Sequence, residues 1–283
     1  MKKRTKILFP TDFSHAAQNA FRHALLMADR LDADIVLLHV VYPQTEALDT
    51  PVMVAKATQT HVDAALEVMR SFVSNGMTQV LEQLSAAPGL TTTVEVGTPV
   101  QLIRNRVESE AADLVIMGAK GEQNAFGRLL GSVAAGTVAN APCPVLVIPE
   151  EVAPKAIQTV AYATAISEAD PYEIWKAMRL LKTEQTIFHI VHVNTDRKSF
   201  RETEGLDQLK SFFEEQAPAL QMNYHHIPGS TVEETLTTFV ENHEVDLLVM
   251  YQPKRSFIER LFKRSFTKKM AGSSKVPLLV MKA

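Results

Sequence analysis

The chain reads Asp113-Leu114-Val115-Ile116-Met117-Gly118 at the start of the pattern that decides its fold. The apolar run 114–117 is typical of a fully buried parallel strand. A glycine pattern, G-x2-G-x9-G-S, begins where this run ends, and its fixed positions are Gly118, Gly121, Gly131 and Ser132. The small residues 133–139 then predict a helix, with Ser132 as its N-cap. The glycines therefore lie in a predicted strand–loop–helix turn.

Such a turn favours phosphate binding. Glycines lack a Cβ and let the backbone approach a polyanion, while free amides at a helix start can hold phosphate. The alternative is that Gly118 ends a strand, Gly121 makes a turn and Gly131 caps a helix, all for backbone reasons. The strand and helix on either side favour the phosphate-binding interpretation.

Composition places the chain among globular proteins. It has 283 residues, 46% hydrophobic and 22% charged, which allows one large or two ordinary domains. The net charge of −3 gives no global attraction for nucleic acid or membranes. A single cysteine, Cys143, excludes an intramolecular disulfide framework and a cysteine-based metal site. We find no signal-peptide core or bilayer helix, and we expect a cytoplasmic protein.

Strands and helices alternate along the first half. The predicted strands are 6–9, 35–41, 92–96, 113–117 and 144–148, and the predicted helices begin at Ser14, cover 62–84 and 100–111, and follow Ser132. Alternation of this kind predicts an α/β fold with a doubly wound parallel sheet.

The second half repeats the first. After a predicted linker at 149–154, the run Asp246-Leu247-Leu248-Val249-Met250 matches residues 113–117 nearly residue for residue. The last apolar run, 277–281, likewise matches 144–148. We therefore predict two copies of one domain, at 1–150 and 155–283.

The two copies differ at the residues that carry the phosphate-binding chemistry. In the second copy Tyr251 replaces Gly118, Lys254 replaces Gly121, Arg264 replaces Gly131 and Ala165 replaces Asp12. Side chains at former glycines obstruct close approach to phosphate. We predict that the second copy is degenerate and that the chain binds one nucleotide.

These residues resemble the universal stress protein family. The similarity is carried by Phe9-Pro10-Thr11-Asp12-Phe13-Ser14, Leu37-Leu38-His39-Val40, the glycine pattern and Cys143-Pro144-Val145-Leu146-Val147. It is specific in the first copy and topological in the second. The resemblance implies two tandem Rossmann-like domains, similar to adenine nucleotide alpha hydrolases, each with a five-stranded parallel sheet. It also implies ATP at the carboxyl ends of the strands and pairing of the fifth strands.

The resemblance implies a role for each matching position. Asp12 would contact adenosine or a metal, Mg²⁺ or Mn²⁺, and Val40 would offer backbone groups to adenine. The glycines and Ser132 would line ribose and phosphates. The predicted ATP-binding positions are Pro10, Thr11, Asp12, Val40, Met117, Gly118, Gly121, Gly131, Ser132 and Val133.

Other interpretations of the polar residues stay open. Asp12 could act only by capping the following helix. His39 and His192 follow strand runs, and we interpret them as structural histidines rather than ligands. Lys120 and Arg128 lie in the glycine loop and could either counter phosphate charge or be solvated.

Nothing in the sequence indicates efficient catalysis. It has no G-x4-G-K-[ST] loop, no G-x-S-x-G elbow and no evident acid or base beside the glycine loop, so no catalytic residue is assigned. We therefore favour a stress-response protein that binds ATP as a regulatory ligand. The alternatives are a slow ATPase or autophosphorylating protein, and a nucleotide-free interaction scaffold.

Two interfaces are predicted. The last strands, Val145–Ile148 and Leu278–Met281, are apolar edges that we expect to pair within the chain as a pseudo-dimer. Whether whole chains form a homodimer is left open. A basic, aromatic segment at 254–269 either covers the degenerate pocket or docks an acidic partner or anionic ligand.

Overall fold

The apolar runs of the first half form the strands of a sheet, and amphipathic segments form the helices between them. The computed structural model describes residues 4–43, 51–120, 130–181, 186–195, 200–252 and 276–282. The elements of the first half are β1 Thr5–Thr11, α1 His15–Leu31, β2 Ala33–Val41, α2 Pro51–Val80, β3 Leu90–Val96, α3 Pro99–Glu110, β4 Leu114–Gly118, α4 Ser132–Asn140 and β5 Val145–Ile148. A short 3₁₀ helix, Leu81–Gln83, follows α2.

The second half repeats this order of elements. Its elements are β6 Thr159–Thr164, α5 Asp170–Leu181, β7 Ile187–Asn194, α6 Phe200–Gln216, β8 Met222–Pro228, α7 Val232–Asn242, β9 Leu247–Gln252 and β10 Leu278–Lys282. The chain divides into two compact units, Met1–Pro154 and Lys155–Ala283, called here the first and second unit.

Each unit contains a five-stranded sheet in which every pair of neighbours is parallel. The order is β3-β2-β1-β4-β5 in the first unit and β10-β9-β6-β7-β8 in the second. The strand order reverses at β1 and at β6, because the chain first builds outward on one side and then continues on the other. The predicted α/β, doubly wound fold is confirmed, and the reversal at β1 opens a crevice beyond the carboxyl ends of β1 and β4.

The predicted starts of two helices were wrong. We predicted that α2 begins at residue 62, but it begins at Pro51, with Val52 exposed by 77%. The apolar residues of its first turn, Val52, Met53 and Val54, follow one another directly and so do not show the helical period. We also predicted Ser132 as the N-cap of α4, but Gly131 is the N-cap and Ser132 is the first helical residue. Among the described residues, no helix is both long and apolar enough to cross a bilayer.

The predicted linker is attached to the first unit. Asn19 Nδ2 donates to the carbonyls of Pro149, at 3.2 Å, and Val152, at 2.8 Å. His23 Nε2 also donates to Val152 O, at 3.0 Å, since a carbonyl can only accept. Burial lowers the pKa of His23. The exit of the chain from β5 is therefore fixed against α1.

Candidate functional site

The candidate site is a cavity of about 240 Å³ at the carboxyl ends of β1, β2 and β4. Nine of the ten predicted positions line it, from three strands and the start of α4: Pro10, Thr11, Asp12, Val40, Met117, Gly118, Gly131, Ser132 and Val133. The tenth, Gly121, lies outside the described residues, as does Arg128. The fold thus gathers segments that are more than a hundred residues apart in sequence around one space.

A sharp turn after β1 brings Asp12 to the cavity. Thr11 Oγ1 accepts from the amide of Phe13 at 3.0 Å, and Asp12 Oδ1 accepts from the amide of Ser14 at 3.1 Å. Phe13 has φ +64°, a left-handed conformation that is costly for a bulky residue. Ser14 Oγ then accepts from Ala17 N at 3.2 Å, so Ser14 caps α1 as predicted. The Asp12 carboxylate therefore shapes the turn as well as lining the cavity.

His39 has a structural role, as predicted. Its Nδ1 lies 2.9 Å from Thr11 O and donates to that carbonyl. Its ring stacks on Phe13, with centroids 4.3 Å apart and planes 21° apart. These contacts join the ends of β1 and β2, and His39 also lines the cavity.

Gly118 packs closely against the start of α1. A Cβ at this position would lie 3.2 Å from the backbone carbon and oxygen of Ala16, at the start of α1. Backbone atoms of a helix cannot move aside as a flexible side chain can. Gly118 therefore allows the close approach of α1 and at the same time forms part of the cavity wall.

The start of α4 presents amides to the cavity. Gly131 N donates to Ala119 O at 2.7 Å and Ala135 N donates to Gly131 O at 2.9 Å, which fixes the first turn. The first amides of a helix have no partner within it, and together with the helix dipole they favour an anion. Ser132, Val133 and Ala134 carry these amides and line the cavity. This end of the cavity is suited to phosphate.

Charged groups of both signs reach the cavity. Asp12 and Lys120 line it, so Lys120 can neutralise an anion while Asp12 can bind a cation. Within the described ranges, no cluster of three or more His, Cys, Asp or Glu side chains could hold a metal by itself. A divalent ion at Asp12 would therefore take its other ligands from water or from a bound molecule.

The prediction from sequence did not include several residues that line the cavity. Tyr42, Pro99 and Ile103 line the cavity but were not among the predicted positions. Tyr42 has 57% of its surface exposed directly after β2, and an aromatic residue at a strand end was the signal that could have identified it.

The second unit keeps the turn but changes what surrounds it. Thr164 Oγ1 accepts from Ile166 N at 2.7 Å, Ile166 has φ +56°, and His192 Nδ1 donates to Thr164 O at 3.0 Å. His192 therefore makes the same structural contact as His39. Ala165 stands where the first unit has Asp12, and Tyr251 stands where it has Gly118. Lys254, Arg264 and the basic segment lie outside the described residues.

A buried acidic network occupies the start of α5. Asp170, 2% exposed, accepts from Tyr162 Oη at 2.9 Å, Thr164 Oγ1 at 2.5 Å and Ser167 N at 2.6 Å. Burial raises the pKa of Tyr162, and the neighbouring Asp170 carboxylate raises it further. Burial likewise raises the pKa of Glu173, 2% exposed. In the first unit the positions of Asp170 and Glu173 are Ala17 and Ala20, which carry no charge.

Comparison with known proteins gives the family. The model of the universal stress protein family matches residues 3–149 and again residues 157–282. A universal stress protein of Methanocaldococcus jannaschii is 30% identical over 145 residues, which cover 50% of this chain and 81% of that protein.

A solved structure agrees with the fold. The crystal structure of a universal stress protein from Archaeoglobus fulgidus overlaps 99% of both chains with a TM-score of 0.72, at 18% identity. A universal stress protein crystallised in complex with cAMP overlaps 51% of this chain and 96% of its own, with a TM-score of 0.39 and 23% identity. With one match of the family model in each unit, the chain belongs to the universal stress protein family and is a tandem two-domain member of it.

Proposed function

We propose that the first unit binds ATP with Mg²⁺ or Mn²⁺ as a regulatory ligand in a stress response. The observation that carries the proposal is the gathering of nine predicted positions, from Pro10 to Val133, around one cavity. In a doubly wound sheet this crevice is where ligands bind. We place the protein in the cytoplasm.

The residues present fit the ligand. The amides of Ser132 and Val133 and the backbone of Gly131 would hold phosphates, with Lys120 as countercharge. Asp12 would bind the metal carried by those phosphates or the adenosine, and the backbone of Val40 would meet the base. ATP would stabilise the first unit when bound, by mass action on the folded state, and its release would remove that stabilisation.

The second unit is proposed to be a degenerate copy, used for packing or for binding a partner. Tyr251 and the buried carboxylate of Asp170 stand where the first unit has Gly118 and Ala17. We therefore expect one ATP per chain. Pairing of β5 with β10 as a pseudo-dimer stays a prediction.

Calorimetric titration with ATP and Mg²⁺ tests the proposal. Wild type is expected to bind one equivalent, and Gly131→Val to bind at least tenfold more weakly, because a branched side chain enters the phosphate end of the cavity. Ala135→Val is the matched control: the same side chain is added one turn further along α4, at an exposed position outside the cavity lining. Wild-type affinity in Gly131→Val would refute the phosphate end, and two equivalents per chain would refute the single site.

A further inference from the structure

Two chemically different sets of residues line the cavity of the first unit. One set carries the amides of α4 and the glycine backbone. The other, called here the apolar end, consists of apolar and aromatic residues from the end of β2 and the start of α3: Leu38, His39, Tyr42, Pro99 and Ile103. Because β1 lies between β2 and β4 in the sheet, the end of β2 is separated from the turn into α4. A triphosphate suits the first set and a flat, weakly polar base suits the apolar end, since ligand sites combine apolar walls with a few placed polar groups.

Tyr42 is the exposed member of the apolar end. Leu38 is fully buried and Ile103 is 1% exposed, so both are already packed into the core. Tyr42 keeps 57% of its surface exposed. Within the described ranges the aromatic contacts of this region join Phe13 to His39 and Phe72, and none includes the Tyr42 ring. An aromatic face at the rim of a cavity thus remains available.

We propose that the ring of Tyr42 stacks on the base of the nucleotide bound in this cavity. The inference rests on the proposed function, since it assumes a nucleotide whose phosphates lie at α4. Tyrosine supplies a large flat area with few rotatable bonds, so little entropy is lost when it covers a ligand. Base–aromatic stacking uses only the π-face, which every base has. The stack would therefore add affinity without requiring new hydrogen bonds.

The second unit supplies an internal comparison. The register of β6 with β7 pairs Thr164 with His192, just as β1 and β2 pair Thr11 with His39. Counting three residues onward, Thr195 occupies the position of Tyr42. The copy that has lost its first pattern glycine has thus no aromatic residue at this position, which is expected if the ring serves the ligand rather than the fold.

Calorimetric titration of four variants with ATP and Mg²⁺ tests the inference. Tyr42→Ala and Tyr42→Leu are expected to weaken ATP binding about 5- to 150-fold, the range that loss of one base–aromatic stack produces. Tyr42→Phe keeps the ring and is expected to bind within twofold of wild type. Tyr172→Ala, which removes a tyrosine that is 69% exposed on α5, is the matched control and is expected to have no effect.

The outcomes separate the inference from the proposed function. If wild type does not bind ATP, the proposed function fails and the stack fails with it. If wild type binds and Tyr42→Ala binds equally well, the stack alone is refuted. A Tyr42→Phe variant as weak as Tyr42→Ala would assign the effect to the hydroxyl, and a Tyr42→Leu variant equal to wild type would assign it to apolar cover; either result overturns stacking. Thermal unfolding without ligand checks that each variant is folded.

Discussion

The same β–turn–α segment has opposite surroundings in the two units. In the first, α1 begins at His15, directly after the cap Ser14, and its backbone fills the space behind Gly118. In the second, α5 begins at Asp170, three residues after the equivalent Ser167, and Tyr251 takes the place of the glycine. In the first unit a Cβ at Gly118 would press on the first turn of α1. In the second unit α5 starts later, which leaves room for the side chain of Tyr251.

The comparison shows which contacts of this segment are kept when the residues around it change. The hydrogen bond between the histidine and the threonine carbonyl is kept in both units, and so is the left-handed residue of the turn. The hydrogen bond joins the ends of two neighbouring strands in each unit. In the second unit Asp170 and Glu173 replace Ala17 and Ala20, and Tyr251 replaces Gly118. The buried carboxylate of Asp170 is tolerated because it receives three hydrogen bonds.

Replacing Gly118 of the first unit by tyrosine, the residue of the second unit, is expected to have the largest effect on stability and ATP binding. Gly118→Tyr places a side chain against the backbone of Ala16, and such overpacking costs about 1–3 kcal/mol of unfolding free energy. It is also expected to abolish ATP binding by filling the cavity. Denaturant unfolding and calorimetry measure the two effects. Gly118→Ala, which adds the Cβ alone, is the control and should give a smaller loss of stability; equal stability of Gly118→Tyr and wild type would contradict the packing argument.

A histidine cluster should make the second unit lose stability in acid. His189 on β7 and His225 on β8 share a hydrogen bond, with Nδ1 and Nε2 2.8 Å apart, and the ring centroid of His243 is 5.2 and 5.3 Å from theirs. Such a bond needs a neutral acceptor nitrogen, so the two rings cannot both be protonated. The first unit has Val36, Thr93 and Glu110 at these positions.

The expected pH dependence follows from the direction of the shift. Burial and the neighbouring histidines lower the pKa of His189 to about 4, and burial lowers the pKa of His225. Since a histidine in the unfolded chain has a pKa near 6.5, the unfolded state takes up protons first as pH falls. Stability present above about pH 6.5 is therefore lost between about pH 6.5 and 4, by up to about 3 kcal/mol for His189.

Denaturant unfolding at pH 4.5 and 7.5 measures this loss. His189→Gln should reduce the difference in unfolding free energy between the two pH values. His61→Gln, which changes an exposed histidine on α2, should leave it unchanged. The charged groups that flank His243, Glu241 and Glu244, are exposed, so they screen the cluster weakly. An unaltered pH dependence in His189→Gln would remove the cluster as its source.

The sequence allowed the sheet and most of the site to be predicted, because both depend on local patterns. Apolar runs gave the strands, and the glycine pattern gave the strand–turn–helix unit around Gly131. The start of α2 was missed because Pro51 suits both a loop and the first position of a helix. The left-handed Phe13 was missed because an aromatic residue gives no sign of positive φ. Tyr42 was missed because the other residues that line the cavity with it, such as Ile103 of α3, are distant in sequence.

The smallest expected effect comes from restoring a first-unit residue in the second. Tyr162 occupies the position of Phe9, and its hydroxyl donates to Asp170. Tyr162→Phe leaves Asp170 with two donors instead of three, and loss of a hydrogen bond to a charged group costs about 1.5–3 kcal/mol. We expect the lower end of that range, because Thr164 and Ser167 still hold the carboxylate. Denaturant unfolding measures the change. Phe9→Tyr is the reciprocal variant, and it buries a hydroxyl where Ala17 offers no acceptor side chain. Phe9→Tyr should therefore destabilise the first unit more than Tyr162→Phe destabilises the second. A Tyr162→Phe protein as stable as wild type would mean that the hydroxyl fills space without holding Asp170.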